Sequence, residues 1–323
     1  MWGSLSPTME RPAVLSYYPL DTDPEKILRD VADVYYSGQP GFEEILPRVT
    51  AVICIDLPVE HLNKMGRLRM IQSLSAGVDT LPWHSIPADV IVCGNMGSNA
   101  ESVAEHTWAL ILALSRRLHH YLPKVRGGDF SKSGENIVLW GRTLGVIGMG
   151  SIGRLVASIG KAFGMRVLGV TRSGRSVAPC DFVGGEESLE YVIRESDVLV
   201  IASPLTKKTR GMINLDRLRM LKPNAILVNV GRAEIIKRED LLAYLRENPE
   251  ANIATDVWWG FEDGRPVERE LIHYPNFIGT PWVAGAFGSS EVLKHMKRLA
   301  AENVAKFLKG GQVSNIIDRE DYI

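Results

Sequence analysis

The stretch that most restricts this chain is "TLGVIGMGSIGRLVASIGKAFGMRVLGV", residues 143 to 170. An apolar run at 143–147 leads into Gly148, Gly150 and Gly153, a helical pattern follows over about 151–164, and a second apolar run covers 166–171. A lone GxGxxG is weak, but strand, glycines, helix and strand in this order form the βαβ unit that a dinucleotide site requires. The first glycine permits the tight turn, the second lets a pyrophosphate approach the backbone, and the third lets helix and strand pack closely. Free N–H groups and the positive dipole end at the helix N-terminus complete an anion site. The spacing therefore assigns Gly148, Met149, Gly150, Ser151, Ile152 and Gly153 to a pyrophosphate-binding turn.

The end of the second strand reports on the cofactor. An NAD site carries an acid there to hold the ribose hydroxyls. This chain has Thr171, followed by Arg172, Ser173 and Arg175. A hydroxyl and guanidinium forks suit a 2′-phosphate. NADP(H) is favoured, with NAD(H) as the alternative.

The rest of the chain fits a two-domain α/β protein. Its 323 residues are 45% hydrophobic and 23% charged, enough for two cores. Short β-branched runs at 13–18, 51–56, 68–75 and 90–94 read as strands of a first unit, with helices near 23–35 and 58–66, the second capped by Asp56. A long helix over 99–118, capped by Asn99, has an apolar face wide enough for burial on two sides, and 119–141 reads as an irregular arm. After the glycine turn, strands are expected at 197–204, 224–231, 251–258 and 276–281, giving a doubly wound parallel sheet whose ligands sit beyond the carboxyl ends of its strands. Arg232, Asp256 and Trp282 fall at three such ends.

Composition also excludes. Thirty-seven basic against 38 acidic residues leave a formal charge of −1, which argues against nucleic acid or an anionic membrane as partner. Cys54, Cys93 and Cys180 are scattered, without a CxxC pair, and read as reduced thiols with no metal site. No apolar run is long enough to span a membrane, and the opening "MWGSLSPTMERP" lacks the pattern of a secretory signal, so a cytoplasmic location is expected.

Together, "GMGSIG", "SDVLVIASPLTKKTRGMIN", "LKPNAILVNVGRAEII", "TDVW" and "YPNFIGTP" resemble the D-isomer-specific 2-hydroxyacid dehydrogenases, which include glyoxylate and hydroxypyruvate reductases, phosphoglycerate dehydrogenase and formate dehydrogenase. "SAGVDTLPW" and "SNAESVAEH" extend the resemblance over nearly the whole chain. It implies two Rossmann-like domains: a discontinuous substrate domain, 1–98 plus 288–323, around a dinucleotide-binding domain, 99–287, with homodimers formed through the latter. It further implies that Arg232 grips the substrate carboxylate and polarises its carbonyl. Asp256 meets the nicotinamide carboxamide, the loop Ser75, Ala76 and Gly77 receives the carboxylate on its N–H groups, and Pro204, Thr209, Val230 and Gly231 line the cofactor. Asn99 matches a substrate-contacting asparagine, a role open beside that of helix cap.

Two positions depart from the family pattern. The histidine that follows "TP" and protonates the new alkoxide is replaced by Trp282, a donor that does not titrate in a useful range. The glutamate that pairs with that histidine falls on Phe261, with Glu262 and Asp263 displaced by one and two residues. His106 matches a family histidine on the long helix and reads as structural. The expected activity is reduction of a small 2-oxoacid such as glyoxylate or hydroxypyruvate, or the reverse oxidation of a 2-hydroxyacid, with water or Glu262 as proton source. The alternatives are a nucleotide-bound sensor that has lost its acid and, less favoured, hydride transfer from formate.

Overall fold

A computed structural model describes residues 10–132, 134–262, 265–266 and 269–323. The first nine residues, part of the opening stretch read as lacking the pattern of a secretory signal, and Asp263 lie outside the described residues. The chain divides into two compact units, one running to Ser98 and resuming at Glu291–Ile323, the other Asn99–Ser290.

The first unit is built on strands β1 (Ala13–Ser16), β2 (Asp33–Tyr36), β3 (Val49–Cys54), β4 (Met70–Ser73) and β5 (Ile91–Cys93), all parallel in the order β2-β1-β3-β4-β5. Helices α1 (Thr22–Arg29) and α2 (Val59–Leu62) are shorter than their sequence pattern, and the residues following α1 form the edge strand β2 instead. In "DVYY" the β-branched and aromatic side chains favour a pleated edge once α1 ends at Asp30. The N-cap of α2 is Pro58 rather than Asp56, and no side chain caps it. Leu15, Val52, Ile71 and Val92 lie in the core of this unit. The C-terminal helix returns to it through buried amides: Asn303 donates to Gln72 Oε1 at 2.7 Å, and Asn95 donates to the carbonyl of Met296 at 2.9 Å. Such paired buried groups fix where the returning helix sits in its own unit.

The second unit carries β6 (Thr143–Ile147), β7 (Arg166–Val170), β8 (Phe182–Gly184), β9 (Val198–Ile201), β10 (Ile226–Asn229), β11 (Asn252–Thr255) and, after the small antiparallel hairpin of β12 (Phe261–Glu262) and β13 (Arg265–Pro266), β14 (Phe277–Gly279). The seven-stranded parallel sheet has the order β14-β11-β10-β9-β6-β7-β8. Alternation along its strands feeds two cores. Val198 and Val200 join α3 (Ala100–Ser115) on one face, with α4 (Leu118–Arg126) following and α5 (Ser151–Ala162) packed beside α3. Leu199 and Ile201 face the core made with α6 (Leu189–Glu195), α7 (Leu215–Leu218) and α8 (Arg238–Glu247). Covering both faces buries β6, β9, β10 and β11 completely and explains their continuous apolar runs. The chain's last helix is α9 (Ser290–Leu308).

Two expectations for this unit are corrected. The stretch after α3 is not irregular throughout: α4 forms despite Pro123, and the glycines that suggested coil end it, with the Gly127 N–H donating to the Pro123 carbonyl. Asn99 occupies the N-cap of α3, but its side chain makes no capping bond. Among the described residues no helix is long and apolar enough to cross a membrane.

Candidate active site

Every strand of the larger sheet is parallel, so the loops leaving β6, β7, β9, β10, β11 and β14 open on one edge. The sheet order reverses between β6 and β9, which puts a crevice at that point. The glycine turn enters it. Gly148 has φ +94°, and a Cβ there would come within 2.6 Å of the Ser203 backbone nitrogen. A Cβ on Gly153 would overlap the carbonyl oxygen of Gly148, so only glycine lets α5 start this close to β6. A methyl group on Gly150 would meet no atom within 4 Å, and that open space is the clearance a pyrophosphate needs above the first N–H groups of α5. Met149 is buried, and Ser151 and Ile152 open the helix. These residues fit the phosphates of a dinucleotide.

At the end of β7, Thr171 organises its turn through its hydroxyl, which accepts the Arg175 N–H at 3.1 Å. Gly174, at φ +66°, completes a tight loop that presents the exposed Arg172, Ser173 and Arg175. Beyond β9, Ser203 is buried and Pro204 exposed. The Thr209 hydroxyl donates to the Pro204 carbonyl at 2.7 Å and accepts the Thr206 N–H at 2.8 Å, closing that loop on itself.

Arg232 follows Val230 and Gly231 at the end of β10. The buried Asn229 braces this bend, donating to the Arg232 carbonyl at 3.0 Å and accepting the Gly231 N–H at 3.1 Å. Asn229 was missed by sequence reasoning, although the "VNVGR" string carries it. Arg232 Nη1 donates to the Gly231 carbonyl at 3.0 Å, which holds the half-buried guanidinium near the turn.

Asp256 is buried at the end of β11 and pins the strap that follows β14. One carboxylate oxygen accepts the Thr280 hydroxyl at 2.7 Å and the Val283 N–H at 3.0 Å; the other accepts the Ala284 N–H at 2.9 Å. Between these anchors Trp282 stands 40% exposed, with a left-handed backbone at φ +55°. Trp258 turns away into the core, packing on Phe277 and donating to the Thr280 carbonyl at 2.9 Å, while Trp259 donates to the Ile236 carbonyl. Glu262 is exposed in the hairpin, paired in register with Arg265.

One face of α3 runs beside the strap. Ser102 donates to the Ala284 carbonyl at 2.6 Å, His106 Nε2 lies 2.9 Å from the Thr280 hydroxyl, and the Asn99 amide nitrogen fills the space beside Gly285. Among the described residues Asn99 Oδ1, in its side chain, is buried and accepts no hydrogen bond. Ser75, Ala76 and Gly77 belong to the first unit, at the end of β4. There the Ser75 N–H already donates to Ser73 Oγ at 3.1 Å and its hydroxyl to the Gly77 carbonyl at 2.6 Å. Among the described residues no hydrogen bond takes the N–H of Ala76 or Gly77.

This fold and edge define a dinucleotide-dependent α/β oxidoreductase. Residues 108–284 match the model of the D-isomer specific 2-hydroxyacid dehydrogenase NAD binding domain. The glyoxylate reductase of Aeropyrum pernix is 36% identical over 80% of this chain and 79% of its own length. The D-3-phosphoglycerate dehydrogenase of Methanocaldococcus jannaschii is 30% identical over 93% of this chain and 58% of its own. A crystal structure from Pyrobaculum aerophilum, provisionally assigned as a formate dehydrogenase, superposes with a TM-score of 0.86 at 37% identity, covering 96% of this chain and 99% of that one. The chain belongs to the D-isomer-specific 2-hydroxyacid dehydrogenase family and is an oxidoreductase with an NAD-binding domain.

Proposed function

We propose that this protein is an NADP(H)-dependent reductase of small 2-oxoacids of the glyoxylate or hydroxypyruvate kind. One observation carries the reading: the glycine turn, the Arg172 turn, Arg232 and Asp256 all lie at the carboxyl edge of one parallel sheet. When bound, the reduced nicotinamide supplies the hydride that the keto carbon receives. Arg232 holds the substrate carboxylate and draws electron density from the carbonyl, a task suited to a permanently charged fork. A carboxylate offers about four acceptor positions, and Asp256 has three filled, which leaves one for the carboxamide N–H₂ of the nicotinamide.

The oxygen of the reduced carbonyl then takes a proton. Trp282 does not supply it, and the exposed Glu262 leaves water as the favoured source. Single-turnover oxidation of bound NADPH by a panel of 2-oxoacids tests the reading; a protein that binds NADPH and oxidises it with none of them is a sensor rather than a reductase. The tryptophan in place of an acid favours one second reading, hydride transfer from formate, which needs no proton donor. Formate-dependent reduction of NADP⁺ tests it.

Apolar side chains exposed on α4 and the arm after it, including Leu122, Val125, Phe130 and Trp140, support a homodimer formed through the second unit. Sedimentation of the unmodified protein checks this.

A further inference from the structure

We infer that His106 is a positioning residue for the nicotinamide end of the coenzyme, acting through Thr280 on Asp256; the inference rests on the reading of Asp256 given above. The Asp256 carboxylate accepts two backbone N–H groups, from Val283 and Ala284, and in that state has no hydrogen to give. The Thr280 hydroxyl, 2.7 Å from Asp256 Oδ1, therefore donates its single hydrogen to the carboxylate. His106 Nε2 lies 2.9 Å from the same hydroxyl oxygen, which has only lone pairs left to offer, so Nε2 carries a hydrogen and donates. Nε2 is 3.7 Å from Asp256 Oδ1, too far for a direct bond. The chain of donors thus runs one way, from His106 to Thr280 to Asp256.

Its effect is to remove an alternative. The Thr280 hydroxyl also lies 3.4 Å from the Thr255 carbonyl and could donate there, removing one of the two hydrogen bonds held by Asp256 Oδ1. His106, donating to the hydroxyl oxygen, takes no hydrogen from it and polarises the O–H, whose hydrogen goes to the nearer, charged Asp256 oxygen at 2.7 Å rather than to the Thr255 carbonyl at 3.4 Å. The carboxylate keeps its orientation and its one open acceptor position. His106 is placed for this by α3, whose Ser102 holds the same strap one turn earlier.

The test compares two coenzymes, NADP⁺ and its 3-acetylpyridine analogue, which keeps the carbonyl but lacks the amide N–H. The unmodified protein should bind NADP⁺ more tightly by about tenfold, the worth of a hydrogen bond to a charged acceptor. His106→Leu and Thr280→Val should each shrink that ratio toward one, and the double variant should shrink it no further. His106→Gln retains an N–H donor and should keep most of the ratio. Affinities for both coenzymes that fall together, with the ratio unchanged, would mean that His106 only packs, and the inference fails. If the unmodified protein binds neither coenzyme, the reductase reading fails instead, and the chain is then tested by hydrogen exchange. The Val283 and Ala284 amides should exchange at least about fivefold faster in His106→Leu and in Thr280→Val, a loss of one net hydrogen bond. Unchanged exchange in both variants overturns the His106–Thr280–Asp256 chain.

Discussion

The α-carbon of Gly153 stands against the carbonyl oxygen of Gly148 with no room for a methyl group between them. Alanine at 153 would gain up to about 1 kcal/mol in helix propensity, but it would push α5 off β6 at a cost of about 1–3 kcal/mol. The expected outcome for Gly153→Ala is a net loss of stability and at least about a tenfold loss of dinucleotide affinity, because the N–H groups of α5 leave their place over the pyrophosphate. Thermal melts and a coenzyme titration check both. An alanine variant that binds as tightly as the unmodified protein would show that the turn does not meet the phosphates.

The exposed turn after β7 makes a second prediction. Its shape is set by the Thr171 hydroxyl holding the Arg175 N–H, with Arg172 and Ser173 exposed, and the proposed NADP(H) reading puts the 2′-phosphate against it. NADPH should bind more tightly than NADH, and Arg172→Asp should narrow or reverse the gap by about 10- to 100-fold, since it replaces charge-assisted donors with a like charge. Fluorescence titration of both coenzymes measures it. Equal affinities in the unmodified protein would refute the NADP(H) preference.

Stability should depend on pH through Asp197, at the start of β9. Burial pushes its carboxyl up, but the Thr143 N–H at 2.9 Å, Lys222 at 3.4 Å and Arg142 at 3.2 Å outweigh it, and the group titrates below the usual aspartate range. A depressed folded-state value means the contribution is present above the unfolded value and is lost as pH falls through the folded one. Asp197→Asn should therefore cost about 1–2 kcal/mol at pH 7 and much less once the pH falls below the lowered titration of Asp197. Denaturant melts across that range decide it. A cost independent of pH would mean that packing, not charge, ties Asp197 to its neighbours.

The parts of this molecule legible in its sequence are those specified by short-range pattern. The run 143–147 is a strand to the residue, and the glycine spacing is legible because Gly148 and Gly153 each answer a local steric demand. Edge strands were harder. In β8, three residues ending in a glycine pair give no periodicity to read, and β2 was absorbed into the preceding helix. What the sequence does not display is the partner of a buried polar group. The family resemblance implied a coenzyme contact for Asp256, but its grip on Thr280, Val283 and Ala284 depends on β11 and β14 lying side by side. His106 read as structural for the same reason: its partner is 174 positions away.

Trp282 supplies the last prediction, because the backbone there is informative in its own right. Its N–H turns back toward the Thr280 carbonyl at 3.2 Å, and the next two N–H groups are fixed on Asp256, so the left-handed φ of +55° is imposed from both sides. That region costs a bulky residue about 1–2 kcal/mol, whereas histidine is among the side chains enriched there. The backbone at 282 is therefore one that histidine, which the family resemblance puts at this position, adopts more readily than tryptophan. Loss of a positioned general acid lowers rates by about 10²- to 10⁴-fold. Reduction of glyoxylate or hydroxypyruvate by the unmodified protein should accordingly be slow and lack a limb between about pH 6 and 8. Trp282→His, combined with Phe261→Glu to orient the imidazole, should raise kcat by at least about tenfold and introduce such a limb. Little change in Tm is expected, because relief of the backbone strain offsets the smaller apolar area that an imidazole covers in place of a partly exposed indole. Fast turnover by the unmodified protein, with a titration near pH 7 that survives replacement of Trp282, would place the proton donor elsewhere in the molecule.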